Sequence, residues 1–159
     1  MDEKIMGLQE FLSPEGVILN LAARCKREAL AVLAERAAEI SGADADEIRQ
    51  ALMDREQLGS TGVGRGVAIP HGKIEGLDRI VGLLAKLEEP VDFEAVDDQP
   101  VDLVFVLLAP ADATAAHLKA LARVSRLLRE EDVREALRGA DSSEALYAIA
   151  AGAERSHAA

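Results

Sequence analysis

Aromatic and sulfur-bearing residues are nearly missing from this chain. No Trp, one Tyr and three Phe occur in 159 residues, so Leu, Val, Ile and Ala must do the packing. The single cysteine, Cys25, excludes an internal disulfide, and its neighbours Ala22, Ala23 and Leu30 suggest a half-buried structural thiol rather than a reactive one. Basic charge is short as well: 18 Lys and Arg stand against 29 Asp and Glu, a net of −11. That balance argues against a nucleic-acid or anionic-membrane surface, which needs a basic stripe. Long hydrophobic runs are lacking. The longest, Leu103 to Ala109, is too short to span a bilayer, and the opening MDEKIMGLQEF is acidic with no apolar signal core. A soluble, cytoplasmic chain without membrane insertion is expected. No repeat, low-complexity stretch or glycine-rich boundary divides it, so one domain is expected over residues 1–151. The remainder, 152–159, has no apolar pattern and reads as a disordered tail that includes His157.

What is present is an alternation of strand and helix signals. Gly16 to Leu21 is short, β-branched and apolar, as a buried strand should be. Lys26 to Ile40 places Leu30, Leu33, Ala37 and Ile40 on one helical stripe, and Ser41-Gly42 stops it. Asp44 with Glu47 three residues on forms a capping arrangement that opens a helix through about Arg55, with Ile48, Leu52 and Met53 inward. Strands are expected over Arg79 to Leu87 and Val101 to Ala109, the latter nearly continuously apolar, as in a central strand covered on both faces. Asp97 to Pro100 is a turn between them. A helix follows from about Ala113 to Arg129 with Leu118, Leu121, Ser125 and Leu128 on one side. Glu131 to Leu137 adds a turn or two, and Asp141 to Glu144 caps a last helix ending near Ala150. The simplest packing of this order is a three-layer α/β/α sandwich with a mixed β-sheet.

The most informative stretch is Ser60 to Ile74, STGVGRGVAIPHGKI. Gly62, Gly64 and Gly66 permit positive φ and close approach to a ligand; a plain tight loop between a helix and a strand is the commoner explanation of such a run. The run is not a dinucleotide fingerprint, because no strand precedes it and a strand follows, and it lacks the GK[ST] ending of a P-loop. His71 is held between Pro70 and Gly72, which keeps the ring near a surface. Isolated histidines are commonly structural, but residues 55 to 73 carry Arg55, Arg65 and Lys73 against Glu56 alone. A cationic, hydroxyl-rich loop around one imidazole suits a phosphoryl group bound to that ring. His117 falls shortly after the long apolar strand, in the first turns of a helix, where open α/β sheets place ligand sites; a surface helix position is the other reading.

These segments together resemble the enzyme IIA proteins of the bacterial phosphotransferase system, fructose/mannitol type, and especially their nitrogen-regulatory branch. LMDREQLGSTGVGRGVAIPHGKI (Leu52 to Ile74), EPVDFEAVDDQPVDLVFVLLAP (Glu89 to Pro110) and HLKALARVSRLLR (His117 to Arg129) carry the resemblance, which spans roughly Leu8 to Ala150. It implies a phosphoryl carrier with His71 as acceptor at Nε2, charged by the phosphohistidine of a small HPr-type carrier, and acting on regulatory target proteins by its phosphorylation state. It further implies that His117 stabilises the phosphorylated ring, that Arg55 offsets phosphate charge, and that Ser60, Thr61 and amides at Gly62 and Gly64 bind the remaining oxygens. No cofactor is implied. Arg65 departs from the branch, which often has a small polar residue there; it either enters the phosphate site or lies on the surface.

Three alternatives stay open at this stage. One is a sugar-uptake component that passes phosphate to a fructose- or mannitol-type IIB domain. Another is a binding module of the same fold that is never phosphorylated. The last is a metal site from His71 and His117 with Asp112 or Glu75, although their spacing matches no compact zinc pattern.

Overall fold

The computed structural model describes residues 8–156. A single 3-10 turn (Leu8–Glu10) leads into β1 (Leu12–Leu21), followed by α1 (Lys26–Ser41) and α2 (Ala45–Gln57). Three short strands come next, β2 (Gly62–Gly64), β3 (Val67–Ala68) and β4 (His71–Ile74), then two long ones, β5 (Val81–Val91) and β6 (Val101–Pro110). The chain ends in α3 (Thr114–Leu128), α4 (Glu131–Gly139) and α5 (Ser143–Ser156).

The apolar run predicted as a central strand is β6, buried from Leu103 through Ala109. It pairs antiparallel with β5 on one side and parallel with both β3 and β4 on the other. β1 lies parallel to β5, and β2 closes the far edge antiparallel to β3. The sheet is therefore mixed, in the order β1-β5-β6-β3-β2, with β4 continuing the β3 side of β6. Alternation along the strands splits the core in two. Leu83, Ala85, Val104, Val106 and Leu108 pack with Leu30, Leu33, Ile48 and Leu52 of α1 and α2. Leu84, Leu103, Phe105 and Leu107 pack with Ala120, Val124, Leu137 and Leu146 of α3 to α5. The expected α/β/α sandwich is the one that forms.

Local signals explain most boundaries. The Asp44 carboxylate accepts the Glu47 amide at 3.0 Å and starts α2. Gly42, at φ +81°, ends α1 by returning its N–H to the Ala38 carbonyl. The Ser142 hydroxyl accepts the Ala145 amide at the start of α5.

Four expectations need correction. β1 begins at Leu12 rather than Gly16, with irregular pairing to β5 that accommodates Pro14. Cys25 is exposed, because it occupies the extended N-cap position of α1, outside the stripe that packs. α5 runs past Ala150 to Ser156. The buried face of α3 is His117, Ala120, Val124, Leu127 and Leu128; the expected Leu128 is buried and Leu121 packs at the edge, while Leu118 is 62% exposed. Two overlapping apolar stripes run along that helix, and the one bearing the small Ala120 is the one laid against the sheet.

Candidate functional site

β3 and β4 are one strand in effect. Val67, Ala68 and His71 to Ile74 pair along β6 without a change of register. Pro70 interrupts the ladder because it has no N–H to give, yet its carbonyl still accepts from Leu107 N at 3.0 Å. The face alternation therefore carries through. Val67 and Ile69 pack toward α3 to α5, and Ala68 and Ile74 toward α1 and α2. His71 and Lys73 share the parity of Val67 and Ile69 and so meet α3. The Lys73 ammonium donates to Thr114 Oγ1 at 2.7 Å, and the His71 ring meets the edge of the His117 ring at 5.6 Å between centroids. Gly72 turns the other way. A Cβ there would sit 3.3 Å from that of Ala51, so its absence lets α2 lie close against β4 and brings Arg55 to the imidazole.

The hydrogen bonds settle the state of His71. Its Nδ1 lies 2.9 Å from the Ile69 carbonyl oxygen. A carbonyl only accepts, so Nδ1 carries the proton and Nε2 keeps its lone pair. Nε2 in turn accepts from Arg55 Nε at 3.2 Å, while Arg55 Nη1 donates to the Gly59 carbonyl at 2.8 Å. Burial pushes the His71 pKa below the ordinary 6.5, opposed by the Ile69 carbonyl and assisted by the Arg55 charge. His117 is only 5% exposed, and its Nε2 has no partner among the described residues. Burial lowers its pKa too, with His71 and Lys73 adding to the effect. Arg55, His71, Lys73 and His117 line one open recess, with Leu58 at its rim.

The structure thus brings together three of the residues singled out in the sequence, His71, His117 and Arg55. Ser60, Thr61, Gly62 and Gly64 are placed elsewhere and do not line the recess. The Ser60 hydroxyl donates to the Phe93 carbonyl and accepts the Gly62 amide. Thr61 gives both its hydroxyl and its amide to the Glu56 carboxylate. Gly62 is packed against Ala95, whose Cβ would stand 2.8 Å from one added at residue 62. Gly64 lies beside Asp97. The alternating glycines form a hairpin. Its turn is Arg65-Gly66, at φ +60° and +78°, the geometry of a two-residue primed turn. Arg65 is exposed there, with its amide on Asp97 and its carbonyl accepting from Arg138. His157 lies outside the described residues.

One lining residue, Lys73, is not singled out by the sequence beyond its charge, yet its spacing of two from His71 on a strand places both on one face. Among the described residues no group of three or more His, Cys, Asp or Glu is assembled as a metal site, and no helix is long and apolar enough to cross a membrane.

Chemically, the recess offers a neutral imidazole whose unprotonated Nε2 is capped by a guanidinium, beside an ammonium and a buried ring nitrogen with no partner among the described residues. That set suits a nucleophile that acquires an anionic group.

Known proteins resemble this chain in sequence and in fold. The sequence model described as "Phosphoenolpyruvate-dependent sugar phosphotransferase system, EIIA 2" matches residues 10–151. A protein of Bradyrhizobium diazoefficiens named nitrogen regulatory protein is 48% identical over 146 residues, covering 92% of this chain and 95% of that one. The Escherichia coli protein of the same name is 40% identical over 149 residues, 93% and 91% of the two chains. Among solved structures, nitrogen regulatory protein IIA-Ntr from Neisseria meningitidis superposes with a TM-score of 0.85 at 34% identity, over 89% of this chain and 97% of that one.

Proposed function

The chain belongs to the EIIA 2 family of the phosphoenolpyruvate-dependent sugar phosphotransferase system, a phosphotransferase component, and on that premise we propose that it carries a phosphoryl group on His71 Nε2. The observation that carries the reading is the fixed tautomer: Nδ1–H on the Ile69 carbonyl leaves Nε2 as the only nucleophilic ring nitrogen. In the transfer, the phosphohistidine of a small HPr-type carrier presents its phosphorus in line with Nε2. The N–P bond of the carrier breaks as the Nε2–P bond forms; the carrier's ring nitrogen keeps the electron pair, and the positive charge that develops on the His71 ring is shared with Nδ1–H, held on the Ile69 carbonyl. Arg55 Nε must release the Nε2 lone pair first, which frees its guanidinium for the phosphoryl oxygens. His117 Nε2, without a partner among the described residues, gains an oxygen to donate to, and Lys73 adds positive charge.

A regulatory role is supported by the relatives named nitrogen regulatory protein. A dianionic phosphohistidine at an open recess changes the charge that a target protein meets, and so switches an interface by electrostatics. Incubation with enzyme I, an HPr-type carrier and phosphoenolpyruvate should add one acid-labile phosphoryl mass to the wild type and none to His71→Ala. A mutant that still gained the mass would refute the assignment. Onward transfer to a fructose- or mannitol-type IIB domain, measured in the same reaction, would instead make the protein a sugar-uptake component.

A further inference from the structure

Glu56 is 7% exposed and does not line the recess, although its charge is felt at His71, and its carboxylate gathers the chain segments around it. Its partners are the Lys26 ammonium at the start of α1, at 3.1 Å, and the amide and hydroxyl of Thr61. Lys26 is held in turn by Glu94 at 3.0 Å and lies over the Phe93 ring. The Phe93 carbonyl takes the Ser60 hydroxyl. The segment Leu58 to Ser60 is thereby fixed at its far end, and its middle residue supplies the carbonyl that holds Arg55 Nη1.

We propose that Glu56 is a positioning residue for the phosphoryl-transfer site, acting through Thr61 and the Gly59 carbonyl to hold the Arg55 guanidinium against His71 Nε2. The proposal rests on the carrier reading for its effect on transfer, but not for its geometry. Arg55 is half-buried, and among the described residues its side chain makes two hydrogen bonds, one of them to this segment. A long cation that must both cap the lone pair at rest and catch phosphoryl oxygens in transfer needs a defined pivot. The Glu56–Thr61 anchor supplies it, because a small displacement of a positioned group is enough to slow a transfer. Thr61, expected from sequence to touch phosphate, acts in this account one step removed.

Glu56→Gln in the full chain tests the idea with two readouts. The first is exchange of the Arg55 Nε–H with water by NMR, which needs no phosphoryl donor; it should quicken about tenfold, the equivalent of one lost charge-assisted hydrogen bond. The second is single-turnover transfer from the phosphorylated carrier, which should slow by about tenfold. In an Arg55→Ala background the same substitution should slow transfer no further, since both act through one group. Multiplying effects, or an unchanged Arg55 exchange rate in a folded Glu56→Gln protein, would overturn the proposal. Thr61→Val, which removes only the hydroxyl given to Glu56, carries the same readouts should the first variant fail to fold. If wild-type protein accepts no phosphoryl group, the carrier reading falls while the exchange measurement still decides the positioning role.

Discussion

His117→Leu should make the unphosphorylated protein more stable and the phosphorylated one less able to persist. The ring is 5% exposed and its Nε2 has no partner among the described residues. A buried polar group without a hydrogen bond costs about 1–3 kcal/mol. Leucine removes that cost, and suits a helix interior better than histidine. Against the gain stands the edge-on contact with the His71 ring, an interaction of about 0.5–1.5 kcal/mol. The balance is a gain of about 1 kcal/mol in urea unfolding of the free protein. Once His71 carries a phosphoryl group the sign reverses. The lost donor would have made a bond to a charged oxygen, about 1.5–3 kcal/mol, so the transfer equilibrium should fall by about ten- to a hundredfold. The assays are urea denaturation at pH 7.5 and the ratio of phosphorylated to free protein at equilibrium with the carrier. A variant that lost more than about 1 kcal/mol without phosphate would mean that the nitrogen is satisfied at rest. An unchanged transfer equilibrium would mean that it plays no part in holding the phosphoryl group.

Other tests address the same account from different sides. Both histidines have pKa values pushed below 6.5 in the folded state, so the unfolded chain protonates first as pH falls, and stability should decline below about pH 6.5 toward the folded values; a His71→Gln/His117→Leu protein should show a flatter melting temperature over pH 7 to 5. Arg65 sits at φ +60° with its side chain in solvent, and Arg65→Gly should stabilise the hairpin by about 1 kcal/mol in chemical unfolding while leaving phosphoryl acceptance at the wild-type rate. On α3, Leu118→Ala should change stability by less than about 0.5 kcal/mol, whereas Ala120→Leu should cost about 1–3 kcal/mol by overpacking against the sheet; the reverse ranking would restore the helix face expected from sequence.

How much could be read beforehand depended on how local the signal was. β6 announced itself because seven apolar residues in a row have one common explanation, burial on both faces. Asp44 and Glu47 announced the start of α2 because a cap bond spans three residues. His71, Arg55 and His117 were singled out by residue type and charge context, and the fold brings them together. The face of α3 is legible at Leu121 and Leu128 but not at Leu118, because Leu118 and Ala120 head two stripes of similar hydropathy, and only the flat surface of the sheet chooses the smaller. The glycines were legible only in part for a related reason. Their partners, Ala95 and Arg138, lie tens of residues away, so a need for close backbone approach was visible while the body approached was not. Thr61 looked free for a ligand because Glu56, five residues earlier, belongs to a helix whose end had to be placed before the two could be seen to meet.

The unbroken pairing of β3 and β4 along β6 has a consequence for how this protein can vary. Inserting one residue between Val67 and His71 would turn the imidazole to the opposite side of the sheet, away from His117. Inserting two would restore the side but carry the ring about 6.6 Å further along β6, beyond Arg55. Substitutions in this segment are graded in their effect, but insertions and deletions are not: its length is fixed by the distance between two helices that approach the strand from opposite faces.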